Sequence, residues 1–436
     1  MARKRVVVVG GGFAGYHAAK TLAKELSPDE HEIVLVNPTD YFLYLPLLPE
    51  VAAGVIDPRR VSVSLPGTLR GVRLVLGEVT DADLDSHELT YVDPEDGEHK
   101  LGFDKLILAA GSVNKLLPIP GVTEHAHGFR GVPEALYLRD HVTRQIELAA
   151  AADDPAERAE RCTFVVVGAG YTGTEVAAQG PAFTKALAAR HPELADQPIR
   201  WLLLDLAPKV LPELDERLSR TADRVLCGRG VEVLMETSID EAQRTGVKLT
   251  NGEFVPSRTL VWCVGVRPDP LVSGLGLDTE KGRLVTDACL NVPGHPDVFA
   301  CGDAAAVPDL TRPGQITTMT AQHAQRQGKL AGRNVAASLK GAPLKKYRHR
   351  DLGFVVDLGE WQAAANPLHI PLSGFPAKVV TRGYHLMAMP GNRVRTAVDW
   401  ALEAMGKRQT VQLGLVRSGT VPLDTDSPEL PRLLRR

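Results

Sequence analysis

The chain has 436 residues, 44% hydrophobic and 24% charged, and carries a formal net charge of -3. Its length suggests about three domains with well-buried cores, and its charge balance offers no whole-chain attraction for nucleic acid. The 40 glycines and 31 prolines follow no period, which excludes a collagen-like chain, and no apolar run approaches the ~18–20 residues that span a bilayer.

The opening "MARKRVVVVGGG" has only four valines before its glycines, so it reads as a strand and not as a secretory signal. Four consecutive valines mark a strand buried on both faces. Gly10, Gly12 and Gly15 follow as GxGxxG, and Ala18 to Leu26 reads as a helix. In that pattern Gly10 permits a tight turn, Gly12 lets backbone approach a pyrophosphate and Gly15 allows close helix–strand packing. The helix N-terminus then meets the phosphate charge.

The next strand, "EIVLVN", ends at Asn37, where a carboxylate is the more usual ribose partner. Asn37 can hydrogen-bond a hydroxyl but lacks a carboxylate's charge. "FDKLILAAGS" (Phe103 to Ser112) reads as a strand ending in small residues, Gly111 among them, which returns the chain to the first sheet.

The whole pattern recurs in "CTFVVVGAGYTGTEVAAQG", with Gly168, Gly170 and Gly173. Its second strand, "IRWLLLD", ends at Asp205, which is placed to accept from both ribose hydroxyls and disfavours a 2′-phosphate, favouring NADH over NADPH. Lys209 is the nearby cation that keeps NADPH open. Two such units imply two dinucleotides. FAD at the first and NADH at the second is the economical pairing, because a flavin converts a hydride into single electrons. "HPDVFACGDAAAVPD" supports it, since its strand ends at Gly302–Asp303 and a carboxylate there can hold a ribityl hydroxyl.

"TMTAQHAQRQG" (Thr318 to Gly328) reads as a small-residue helix whose first turns carry Gln322, His323, Gln325 and Arg326. On its own that is a solvated face. Near the C-terminus, Val394, Ala397, Val398, Ala401, Leu402 and Met405 fall on one helical face, with Trp400 at its flank. Such a stripe packs into a core or lies on a membrane. From Lys378 to Arg436, ten Lys and Arg stand against five Asp and Glu, a local excess of +5 that an anionic membrane surface would attract.

Three stretches, "YFLYLPLLPEVAAG", "LLPIPGVTEHAHGFRGVPEALYLRDHV" and "TAQHAQRQG", resemble segments of type II NADH dehydrogenase, the single-subunit NADH:quinone oxidoreductase of the two-dinucleotide-binding flavoprotein superfamily. The resemblance implies an α/β fold with two Rossmann-like dinucleotide-binding domains and a small C-terminal membrane-associating region. The FAD domain would be discontinuous (1–118 and 287–344), the NADH domain inserted (119–286) and the C-terminal region would be 345–436. It implies that Pro46 packs near the flavin and that the helix after Gly302–Asp303 aims its N-terminus at the flavin ring. Gln322 would then donate to a quinone carbonyl. Glu175 falls where the family has a glutamate near the meeting of nicotinamide and flavin, to orient nicotinamide or relay protons. Its local reading is a carboxylate favoured by the helix dipole.

"NRVRTAVDWALEAMGKRQTVQLGLV" resembles the family's membrane-attaching segment. The expected protein is thus cytoplasmic and peripheral (monotopic) on the inner face of the cell membrane. It would pass electrons to a quinone in a respiratory chain without proton pumping, with no metal, no nucleic-acid partner and a homodimer allowed. Arg326 departs from the family pattern by replacing the first of two consecutive glutamines. It can neutralise an anionic acceptor or narrow the entrance, and so keeps open a soluble NADH:acceptor reductase serving a ferredoxin-like protein or a small molecule. A flavin-based NADH sensor is the rival of another class. The five cysteines (Cys162, Cys227, Cys263, Cys289, Cys301) include no CxxC pair and none precedes Cys162, against a disulfide reductase and in keeping with a reducing compartment.

Overall fold

The computed structural model describes residues 3–405 and 410–425. The chain divides into two compact units. One comprises Met1–Leu43, Ser62–Val113 and Val266–Arg350, the other Tyr44–Val61, Asn114–Gly265 and Asp351–Arg436.

In the first unit, strand Lys4–Val9 pairs in parallel with His31–Asn37 on one side and Lys105–Leu108 on the other. Val6, Val7 and Val8 are fully buried, as a central strand covered on both faces requires. The sheet extends through Arg73–Leu76 at one edge and His295–Ala300 at the other, where antiparallel Asn291–Val292 ends it. The strand read within residues 103–112 therefore joins the first sheet, as expected, and His295–Ala300 pairs beside it. The first helix spans Phe13–Glu25 and does not wait until Ala18. Glycine is a poor helix former, which hides this first turn from propensity. Packing overrides it: a Cβ on Gly15 would lie 1.7 Å from the Gly10 carbonyl oxygen.

In the second unit a five-stranded parallel sheet runs Ala126–His127, Thr259–Trp262, Thr163–Val167, Arg200–Asp205, Val231–Met235. Val165, Val167, Leu202, Leu204, Leu260 and Trp262 share its core. A separate antiparallel sheet of Val355–Asp357, Ala363–Ala365 and Leu372–Ser373 carries helix Gly374–Ala388, with Ala377 packed on Ala363 and Ala365.

The units divide the chain differently from the sequence reading. Residues 266–286, assigned above to the inserted domain, belong to the first unit, where Arg283–Val285 pairs with Ala305–Ala306. The C-terminal region is no third body: Asp351–Arg436 folds with the second unit, as does Tyr44–Val61. Helix Arg393–Met405 turns its apolar stripe outward, with Val394 and Met405 each 77% exposed and Leu402 57%, while the flanking Trp400 is 4% exposed. Helix Gly374–Ala388 adds a second outward set, Phe375, Val379 and Met387, four or eight residues apart. Among the described residues, no helix is long and apolar enough to cross a membrane. Of the basic positions counted above, 407, 408, 432, 435 and 436 lie outside the described residues, as does most of the final segment.

Candidate functional site

Each unit builds one glycine-lined cradle between a strand and a helix, and the two are constructed alike. In the first, Gly10 takes a φ of +92°, and a Cβ there would meet the Ala109 carbonyl oxygen at 2.4 Å. A Cβ on Gly12 would meet nothing within 4 Å. Gly12 is therefore not small to accommodate the protein; its bare backbone leaves room beside the start of the Phe13–Glu25 helix, as a pyrophosphate requires. Asn37 has its side chain committed to the loop: Oδ1 accepts from Gly11 N at 2.6 Å, and Nδ2 donates to the Thr39 carbonyl and hydroxyl at 2.9 and 3.1 Å. Its task in this structure is to hold the turn.

The Gly302–Asp303 turn of the first unit is held from three sides. Ser112 Oγ, next to Gly111, donates to Asp303 Oδ2 at 2.6 Å. Gln327 is fully buried, accepts from Gly302 N at 2.8 Å and donates to Thr317 Oγ1 at 2.9 Å. Buried Arg283 donates to the carbonyls of Thr317 and Gly302. Gln327, the second glutamine of the family's pair, and Arg283 are assigned no such role by sequence alone. Helix Ala321–Leu339 then starts from Thr320, whose hydroxyl accepts from His323 N.

The polar residues of that helix's first turns have different surroundings. His323 is buried, bonded through Nδ1 to the Tyr347 hydroxyl at 2.9 Å and stacked on His349 with centroids 3.9 Å apart. Burial, aided by His349, pushes its pKa down to about 4. Arg326 donates to His349 Nδ1 at 3.3 Å. Gln322 is half-buried.

In the second cradle Gly168 takes a φ of +108°, a Cβ on Gly173 would lie 1.8 Å from the Gly168 carbonyl oxygen, and Gly170 again faces open space. Asp205 occupies the position of Asn37, accepting from Ala169 N at 2.5 Å and from Ala207 N at 2.8 Å. Lys209, the cation that left NADPH open, is engaged elsewhere: its ammonium donates to the Leu214 carbonyl at 2.7 Å and pairs with Glu216 at 3.6 Å.

Glu175, five residues into the Tyr171–Ala188 helix, belongs to a buried ionisable cluster of the second unit. Its Oε1 accepts from Asp357 N at 2.9 Å, and Lys378 Nζ reaches both Asp357 carboxylate oxygens at 2.7 and 2.6 Å. Glu50 is 2% exposed and accepts from the Trp400 indole N–H. Tyr44 and His385 share a hydrogen bond of 3.1 Å beside them. Three carboxyl groups thus face one ammonium away from water, an imbalance that protonation relieves. Burial, then the Asp357 charge, pushes Glu50 up to about 7. Burial, with the charges of Asp357 and Glu50, raises Glu175 well above the carboxylate range. The helix-dipole reading of Glu175 accounts for none of this.

Glu50, Asp357 and Lys378 were not singled out from sequence. The available signal was an ionisable residue inside an apolar run, as in "LPEVAAG", "FVVDLG" and "FPAKVV". Pro46 lies in the Leu45–Leu47 turn of the second unit, whereas Gln322, Asp303 and the first cradle belong to the first.

Comparison with known proteins agrees with this construction. Residues 4–328 match the family of pyridine nucleotide-disulphide oxidoreductases. The chain is 30% identical to the type II NADH:quinone oxidoreductase Ndh of Mycobacterium tuberculosis, over 93% of this chain and 89% of that protein. It is also 30% identical to the demethylphylloquinone reductase NdbB of Synechocystis sp., over 93% of this chain and 97% of that one. Its fold is similar to that of NDH2 from Plasmodium falciparum, solved in complex with NADH, with a TM-score of 0.86 at 16% identity over 94% of this chain and all of that one. With both cradles built on its own residues and full-length relatives at that identity, the chain belongs to the type II NADH:quinone oxidoreductases of the pyridine nucleotide-disulphide oxidoreductase family.

Proposed function

We propose that the protein oxidises NADH and passes the two electrons through FAD to a membrane quinone. The observation that carries this reading is the pair of like-built cradles, one in each unit, each with a glycine facing open space at a helix start. FAD, when bound, accepts the hydride and releases electrons to the acceptor. Gly10, Gly12 and Gly15 leave room for its pyrophosphate, Asn37 shapes the turn beneath it, and Gly111 and Ser112-anchored Asp303 are left for the ribityl chain. Gly168, Gly170 and Gly173 do the same for NADH, and Asp205 offers the ribose a carboxylate that would repel a 2′-phosphate. Lys209, turned away to Leu214 and Glu216, offers that phosphate no compensation.

At the acceptor end Gln322 supplies the amide donor. Arg326 is tied to His349, which favours a cation held at the motif's rim over one swinging freely into it. The test is anaerobic stopped-flow: NADH reduces the bound flavin, and a short-chain quinone is then added. In Gln322→Leu, reduction by NADH is expected to persist while reoxidation by quinone falls ~100-fold, the usual weight of one positioned donor. Rapid reduction followed by no reoxidation in the parent protein would overturn the quinone assignment.

The outward stripes of helices Gly374–Ala388 and Arg393–Met405 support attachment to a membrane surface, where a lipid-soluble quinone is met. Apolar side chains exposed on two helices suit the headgroup boundary of a bilayer. The triple substitution Val394→Ser, Leu402→Ser, Met405→Ser is expected to abolish sedimentation with anionic vesicles while leaving soluble-quinone turnover within about two-fold, since exposed positions contribute little to stability. Loss of dimerisation with vesicle binding intact would instead assign the stripe to a homodimer.

A further inference from the structure

A hydride carries two electrons and one proton, whereas a quinol needs two of each, so every turnover takes one further proton from water. Given the NADH-to-quinone reading, some group must hold that proton. The second unit buries a carboxyl group, Glu50, that helix Arg393–Met405 grips. Two consecutive residues of helix Arg393–Met405 clasp the Tyr44–Val61 segment. Asp399 binds Arg60 through both oxygens at 2.8 and 3.2 Å and accepts from Asp57 N at 3.1 Å. Trp400 points its indole N–H at Glu50 Oε2. The Arg382 guanidinium lies over the Trp400 ring, 4.9 Å from its centroid, and over Trp361 at 5.6 Å, which restrains the indole from turning away.

We propose that Glu50 holds the second proton in transit and that Trp400 is the positioning residue that fixes its carboxyl group. Glu50 gives up its proton for each quinol formed and regains one from water, so it ends each turnover as it began. Asp357 faces it with negative charge, Lys378 and Arg382 with positive charge, and the Trp400 N–H bonds its ionised form. Removing that N–H therefore raises the proton affinity of Glu50 and keeps it loaded to higher pH. The C-terminal helix is on this account a working part of the proton supply as well as a surface for membrane contact.

The test uses the full-length holoenzyme in detergent with a soluble quinone, so that vesicle binding plays no part. In Trp400→Phe, which keeps a ring under Arg382 but loses the donor, the alkaline limb of the kcat profile is expected to move up by roughly half to one pH unit, with flavin reduction by NADH unchanged. In Glu50→Gln the limb should vanish and kcat fall ~100-fold. Asp399→Asn loosens the same clasp without touching the bond to Glu50, and should lower the melting temperature while leaving the limb in place. Should Trp400→Phe fail to fold, Glu50→Asp, one methylene shorter and drawn off the indole, should move the limb in the same direction. A wild-type limb in both Trp400→Phe and Glu50→Gln would overturn the proposal, and so would a shift in Asp399→Asn equal to that in Trp400→Phe. A parent protein that reduces no quinone at any pH would remove the underlying reading as well, and is recognisable as such.

Discussion

Lys378→Met is expected to destabilise the second unit by about 3–5 kcal/mol at neutral pH, the usual cost of stripping one partner from a buried ion pair. Lys378 is 2% exposed and bonds both oxygens of Asp357. It is also one of the charges that lower the proton affinity of Glu50 and Glu175. Methionine fills the space but leaves three carboxyl groups together in the interior. Against a typical total stability of about 5–15 kcal/mol, that loss is large enough to populate the unfolded form. Its pH dependence follows from Glu50. A carboxyl group whose folded pKa lies above its unfolded value of 4.5 contributes stability below 4.5 and loses it as pH rises through about 7. Without Lys378 that folded pKa climbs further, so the melting-temperature deficit of the variant should widen from pH 5 to pH 8. Adding Asp357→Asn should recover much of the loss, because removing both charges is cheaper than orphaning one. A deficit that is flat with pH, or a double variant worse than the single one, would contradict this account.

Gly328→Val is expected to empty the flavin site. A Cβ at Gly328 would lie 2.0 Å from the Ala14 carbonyl oxygen and 2.9 Å from Ala14 Cα, and one at Gly332 would lie 2.8 Å from the Ala18 carbonyl oxygen. Helices Phe13–Glu25 and Ala321–Leu339 thus touch backbone to backbone through residues four apart on each. Replacing a glycine inside a helix ordinarily gains up to about 1 kcal/mol in propensity. Here the collision with a main-chain oxygen dominates, since it is relieved only by moving one helix off the other. Both helices carry site residues at their N-termini, Gly12 on one and Gln322 on the other. A displacement of ~1 Å at such positions costs on the order of 100-fold in function. The measurement is flavin content of the purified protein and FAD affinity by titration, with Gly328→Ala expected between wild type and valine. Full flavin occupancy in Gly328→Val would show that the helices can separate without cost to the cradle.

Both predictions concern residues whose weight the sequence did not announce, and the reasons differ. Gly328 closes "TAQHAQRQG", a stretch whose resemblance pointed to chemistry around Gln322 and Arg326; part of it is packing. Gln327 holds Gly302, Gly328 admits Ala14, and His323 is sealed against Tyr347 and His349. Helix Arg393–Met405 is the reverse case. Periodicity correctly grouped Val394, Leu402 and Met405 on one face, but a period fixes which residues point together and leaves open whether that face turns inward. Trp400 on the flank is what points inward.

The two cradles were legible in the chain before it folded. Gly15 and Gly173 answer to a carbonyl five residues back in the same turn, and their strands to runs of valine and leucine that are buried in any parallel sheet. Such short-range steric rules are legible without the rest of the molecule. The ionisable cluster, in contrast, comes into being with folding. Glu50, Glu175, Asp357, Lys378 and Trp400 come from five separate stretches of chain, and no one stretch shows which of the others it meets. Their chemistry arises from shared burial and mutual charge, quantities that exist only once the chain has folded and water has been excluded from between them.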